Sequence, residues 1–86
     1  MDVLKSKTVT GGAGLSTVSS AGLDIAQIIA VHRQGIQYDY ENPVSFSASP
    51  NRAWTMFGHV KRIIFDANYP FASGGETIFI IYKVTT

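Results

Sequence analysis

The chain has 86 residues, with 7 Lys+Arg against 6 Asp+Glu for a net charge of +1, and no cysteine. That length holds one domain, whose small core buries only about 60% of the surface exposed by its unfolded chain. The composition excludes disulfide staples, thiol catalysis and cysteine-ligated zinc or iron–sulfur centres, and beyond Lys5 with Lys7 and Lys61 with Arg62 it offers no clustered basic patch of the kind nucleic-acid binders use.

Residues 1–7 mix charges with no apolar run behind them, so they do not read as a secretory signal. No apolar run approaches the roughly 18 residues needed to cross a bilayer. The expectation is synthesis in the cytoplasm and departure only within an assembly or by lysis. Residues 1–22 are rich in Gly, Ser and Thr and pack poorly alone. They read as an extended N-terminal arm, a linker or an edge strand ordered against a neighbour. Gly11-Gly12-Ala13-Gly14 lacks the Gly-Lys-Ser/Thr ending of a phosphate loop and reads as linker.

Residues 23–86 are expected to form the folded domain. Residues 25–32 (IAQIIAVH) are a strand candidate because Ile28, Ile29 and Val31 are β-branched and a turn follows at Arg33-Gln34-Gly35. A helix over 21–31 is the competing reading. Residues 36–40 alternate, with Ile36, Tyr38 and Tyr40 on one face and Gln37 and Asp39 on the other. Residues 44–48 repeat the pattern with Val44, Phe46 and Ala48, and Ser49-Pro50-Asn51 reads as a turn. Residues 52–57 and 60–65 read as a hairpin closed by Gly58-His59. Residues 66–75 form a longer loop with Pro70 and Gly74-Gly75, and 77–84 is the closing strand. Six strand candidates at this spacing predict an all-β fold: a small antiparallel β-sandwich or jelly-roll-like barrel with an extended N-terminal arm.

Two strands, 25–31 and 77–84, are apolar on both faces. In 77–84, Phe79 and Ile81 share one face, while Ile78, Ile80, Tyr82 and Val84 share the other. A sandwich of this size buries one face of each sheet. The second face needs the arm, a ligand or another subunit, so Ile80 and Ile81 are candidate interface residues.

Groups for chemistry are sparse. His32 and His59 have no ligand-spaced partner, and Asp39 with Glu41 reads most simply as the solvent side of a strand. No catalytic residue, metal site or cofactor is expected, and the chain does not read as an enzyme. Trp54, Tyr38, Tyr40 and Tyr69 could form a stacking platform for a sugar or base, although aromatic burial in the core is the simpler reading. Trp54 and Tyr69 are therefore the candidate ligand residues. Tyr69, in a loop beside Pro70, is expected to be exposed.

The segments Ile29–Tyr38 with its Arg33-Gln34-Gly35 turn, Phe57-Gly58-His59-Val60, Ile64-Phe65-Asp66, Pro70-Phe71, Gly74-Gly75-Glu76 and Ile80-Ile81-Tyr82-Lys83 together resemble a recurring β module of bacteriophage tail, fibre and head-decoration proteins. The resemblance spans about two-thirds of the chain, and the serine-rich stretch 41–52 departs from it. It implies a structural virion subunit, often trimeric, with other virion proteins and copies of itself as partners and no catalytic residue to carry over. The competing expectation is a carbohydrate-binding module for attachment to a host glycan. A nucleic-acid-binding barrel is the outside third.

Overall fold

The Gly/Ser/Thr-rich start of the chain is a strand. In the computed structural model, which describes residues 1–46, 52–56 and 60–85, β1 (Asp2–Gly11) pairs antiparallel with β7 (Glu76–Thr85) over its whole length, from Asp2 opposite Thr85 to Gly11 opposite Glu76. Thr85 Oγ1 donates to Asp2 Oδ1 at 2.8 Å, closing the far end of this ribbon. β2 (Thr17–Ser19) follows and pairs with β6 (Arg62–Ile64). The residues expected as arm, linker or edge strand thus supply one edge of the larger sheet and half of the smaller one.

The larger sheet has five strands in the order β1-β7-β3-β4-β5, where β3 is Ile28–Arg33, β4 is Ile36–Tyr40 and β5 is Ala53–Trp54. The smaller sheet is β2-β6. The protein is all-β, with antiparallel pairing throughout the larger sheet up to the short β4–β5 pair, which is parallel. Thr55 and Ile64 exchange both backbone hydrogen bonds at 2.9 Å, which joins the two sheets at one corner. The segments expected as one hairpin, 52–57 and 60–65, therefore meet at this bridge, while their other pairings go to β4 and β2. The Gly58-His59 turn lies outside the described residues.

Local chemistry explains where the elements start and stop. Residues 25–27 make a 3-10 turn because the Asp24 carbonyl accepts the Gln27 N–H at 2.9 Å and Gln27 Oε1 accepts the Asp24 N–H at 3.0 Å. The strand expected over 25–32 consequently begins at Ile28. β3 and β4 are joined by the two residues Gln34 and Gly35, both at positive φ (50° and 80°), a two-residue hairpin turn in place of the three-residue loop expected. The strand expected over 44–48 is replaced, as far as Phe46, by the single helical turn α1 (Pro43–Phe46). Asn42 causes this. Its Oδ1 accepts the Val44 N–H and its carbonyl accepts from Ser45 and Phe46, while Pro43 is already set for a first helical position. Residues 47–51 lie outside the described residues.

The two sheets enclose the core. Val31, Trp54, Ile78 and Ile80 project from the larger sheet, Val18 and Ile63 from the smaller, and Leu23, Met56, Phe65 and Phe71 complete the core. Along β7 the alternation decides burial: Ile78 and Ile80 are fully buried, whereas Phe79 is 39% exposed and Ile81 half-buried. In β5 and the residues after it the alternation vanishes, because Ala53, Trp54, Thr55 and Met56 are all buried.

Candidate functional site

The most polar feature of the core lies at the β3–β4 turn. Arg33, last residue of β3, pairs with Ile78 and Ile36 and shares their face, so its side chain turns inward and is buried. An arginine placed there must satisfy its guanidinium within the protein. Glu76, first residue of β7, supplies the counter-charge. Arg33 Nε donates to Glu76 Oε1 at 2.7 Å and Nη2 to Oε2 at 3.1 Å, a bidentate pair. Nη2 also donates to the Tyr69 carbonyl at 2.8 Å. The guanidinium lies 4.8 Å from the Phe71 ring centre, 5.3 Å from Phe65 and 5.9 Å from Tyr38, so aromatic faces complete its surroundings.

The hydrogen bonds from Arg33 hold the Glu76 carboxyl below its usual range, against the opposing effect of burial. The same pairing raises the Arg33 pKa further. Glu76 Oε2 also accepts the Ala72 N–H at 2.8 Å. One ion pair thus ties together the ends of β3 and β7 and two points of the 66–75 loop.

Above this pair opens a cleft of about 480 Å³. One wall is formed by Arg33, Gln34, Ile36 and Tyr38, from the β3–β4 hairpin. Asp66, Asn68, Tyr69 and Pro70 form the loop wall, and Arg52 and Glu76 complete the lining. The loop is braced by its own backbone: the Asp66 carbonyl accepts the Tyr69 N–H at 3.0 Å and Asp66 Oδ1 accepts the Asn68 N–H at 2.9 Å. The Tyr69 side chain stands at its rim and is 66% exposed.

The four aromatics considered as a platform are divided. Trp54 is 3% exposed and packs edge-to-face on Tyr40 at 5.1 Å, so its ring presents no surface for stacking a ligand. Tyr38 packs edge-to-face on Phe65 at 5.4 Å and lines the cleft together with Tyr69. Ile80 belongs to the core and Ile81 to the opposite face of the sheet. The Arg33–Glu76 pair escapes any motif search, since 43 residues separate its members. Its one sequence signal is an arginine at an inward position of an otherwise apolar strand.

The outer face of the five-stranded sheet is the second notable surface. Phe79 lies opposite Thr8 and His32, and Ile81 opposite Ser6 and Ala30. The His32 and Phe79 rings meet edge-to-face at 6.0 Å. Leu4, on the same face of β1, is 65% exposed, and Ile29, at the β3 bulge, is 52% exposed. Asp39 is exposed on its strand, and His59 lies outside the described residues.

Among the described residues no three His, Asp or Glu side chains gather where they could hold a metal ion, and no helix is long and apolar enough to cross a membrane. Comparison with known proteins returns no match: no family model, no curated protein and no solved structure aligns with the chain.

Proposed function

We propose that this chain is a structural subunit of a bacteriophage virion, working through protein–protein assembly with copies of itself and with other virion proteins. It acts without a cofactor and without catalysis. The observation that carries the assembly reading is the outer face of the large sheet. Phe79 and Leu4 are exposed on that face, beside the half-buried Ile81 and Ala30. Apolar residues grouped on one sheet face are the usual material of a subunit interface. A second copy of the chain is the occupant proposed, in a symmetric oligomer such as a trimer. The virion setting rests on the resemblance of the turn and strand motifs to phage tail, fibre and decoration modules.

Sedimentation of the purified chain at micromolar concentrations tests the assembly, and mass spectrometry of gradient-purified particles tests the virion setting. The expected results are a discrete oligomer, dispersed by Phe79→Asp, and presence of the chain in the particles. A wild-type monomer that is also missing from the particles sinks the reading. A glycan-dependent attachment role is the second reading, favoured by the exposed Tyr69 at the rim of the cleft.

A further inference from the structure

We infer that the cleft between the β3–β4 turn and the 66–75 loop is a binding site for a neutral saccharide, with Tyr69 as its stacking surface. Its volume of about 480 Å³ falls within the approximately 300–1,000 Å³ of small-molecule sites. The inference begins with the cost of the ion pair beneath it. Burying an arginine and a carboxylate is expensive, and apolar residues of similar size would often stabilise a core as well or better. Here the Arg33 and Glu76 side chains are only 7% and 11% exposed. What the pair does that apolar residues could not do is hold the loop: Arg33 grips the Tyr69 carbonyl and Glu76 grips the Ala72 N–H. The residue so positioned carries a large aromatic ring into solvent rather than into the core. An exposed aromatic on a backbone held at both its N–H and its carbonyl, beside a cleft, is a partly pre-organised binding surface.

The lining sets the ligand class. Two arginines, Arg33 and Arg52, are matched by two carboxylates, Asp66 and Glu76, so neither an anion nor a cation finds an excess of opposite charge. Gln34 and Asn68 add neutral donors and acceptors, and Ile36 and Pro70 add apolar wall. A sugar ring matches this mixture. Its C–H face can lie on Tyr69 while its hydroxyls, each both donor and acceptor, meet amides and carboxylates. The outer face of the sheet proposed for assembly holds none of these residues, so the two readings stand or fall separately.

The test is an amide-resolved NMR titration of the full chain with lactose, maltose and cellobiose, and with inorganic phosphate as the charged probe. The expected result is a saturable response to at least one disaccharide, at about millimolar affinity, confined to residues 34–38, 52 and 66–76. Tyr69→Ala should weaken it at least roughly tenfold, while Tyr69→Phe, which keeps the ring, should retain it. Both substitutions are at an exposed site, so the unperturbed spectrum serves as the folding control. No response to any of the three sugars overturns the inference. So does a stronger response to phosphate, a response elsewhere on the surface, or binding that Tyr69→Ala leaves intact.

Discussion

Individual side chains set sharp limits on this small domain. Gly11 shows why a glycine-rich segment need not be a linker. It is buried at the end of β1, and a Cβ there would lie 2.6 Å from two carbons of the buried Phe71 ring. Gly11→Ala should therefore cost about 1–3 kcal/mol, read by urea denaturation. The reason for this glycine lies 60 residues away in the sequence, beyond the reach of any local reading of Gly11–Gly14. Thr55 presents the opposite case. It is 1% exposed, and its Oγ1 has no hydrogen-bond partner among the described residues. Thr55→Val keeps the shape and removes the buried hydroxyl, so it should raise stability by about 1 kcal/mol in the same measurement. Glu76 connects stability to pH. Its carboxyl is held below its ordinary value mainly by Arg33, so its contribution is complete above the unfolded pKa of about 4.3 and is lost as pH falls through the folded one. Arg33 is shifted further upward and stays charged throughout that window. The wild type should lose stability steeply below about pH 4.3. Glu76→Gln should begin about 3 kcal/mol lower at neutral pH, because Arg33 is left buried without its counter-charge, and should lose less on acidification. Thermal melts from pH 7 to pH 2.5 would check both slopes.

At the level of strands and turns, legibility followed the length over which a pattern could repeat. β4 was readable because alternating residues persist along it, and β7 because a β-branched and aromatic run follows the Gly74-Gly75 turn; the closing strand lies within one residue of its expected ends on either side. The 66–75 loop was readable from Pro70 and Gly74-Gly75. The pattern misled where a local hydrogen bond outweighed it. Asn42 and Pro43 start a helical turn at the place where Val44 and Phe46 alternate, and Gln27 folds back onto Asp24 within an apolar run. The fate of β1 was not readable from its own composition, because its strand character comes from ten residue pairings along β7. The candidate site was legible only at Tyr38 and Tyr69, since the ion pair that positions the loop comes from the ends of β3 and β7. β7 offers the cleanest test of the two faces. Ile80 is fully buried and Ile81 faces outward beside Ala30 and Ser6. Ile80→Asp would bury an unpaired carboxylate and should abolish folding, at a cost above about 4 kcal/mol. Ile81→Asp should keep the circular dichroism of the wild type and disperse the proposed oligomer. The reverse pattern would place the core on the wrong side of the strand.

The whole molecule is organised around the long β1–β7 ribbon. One end of it lies over the core, against which Val9 packs beside Ile78. Towards the other end burial declines: Lys7 lies over the Tyr82 ring at 4.8 Å, and Val3 is 38% exposed. The domain measures 39 × 30 × 21 Å, and a ten-residue strand at about 3.4 Å per residue accounts for most of the longest dimension. Asp2 and Thr85 sit side by side at the end of this ribbon, tied by a side-chain hydrogen bond. A covalent circle is thus open to the chain with almost no change in shape. A peptide of about two to five residues, the length of an ordinary hairpin loop, would join the two strands. Closing the ring would restrict the unfolded chain and leave the folded one alone. Treated as the closure of a loop of this length, it should raise stability by about 4–5 kcal/mol. Intein-mediated cyclisation followed by thermal melting of linear and circular forms would measure the gain. The same geometry makes the domain an insert: a loop of another protein could be opened and the two strands spliced in, with both proteins left to fold around the junction.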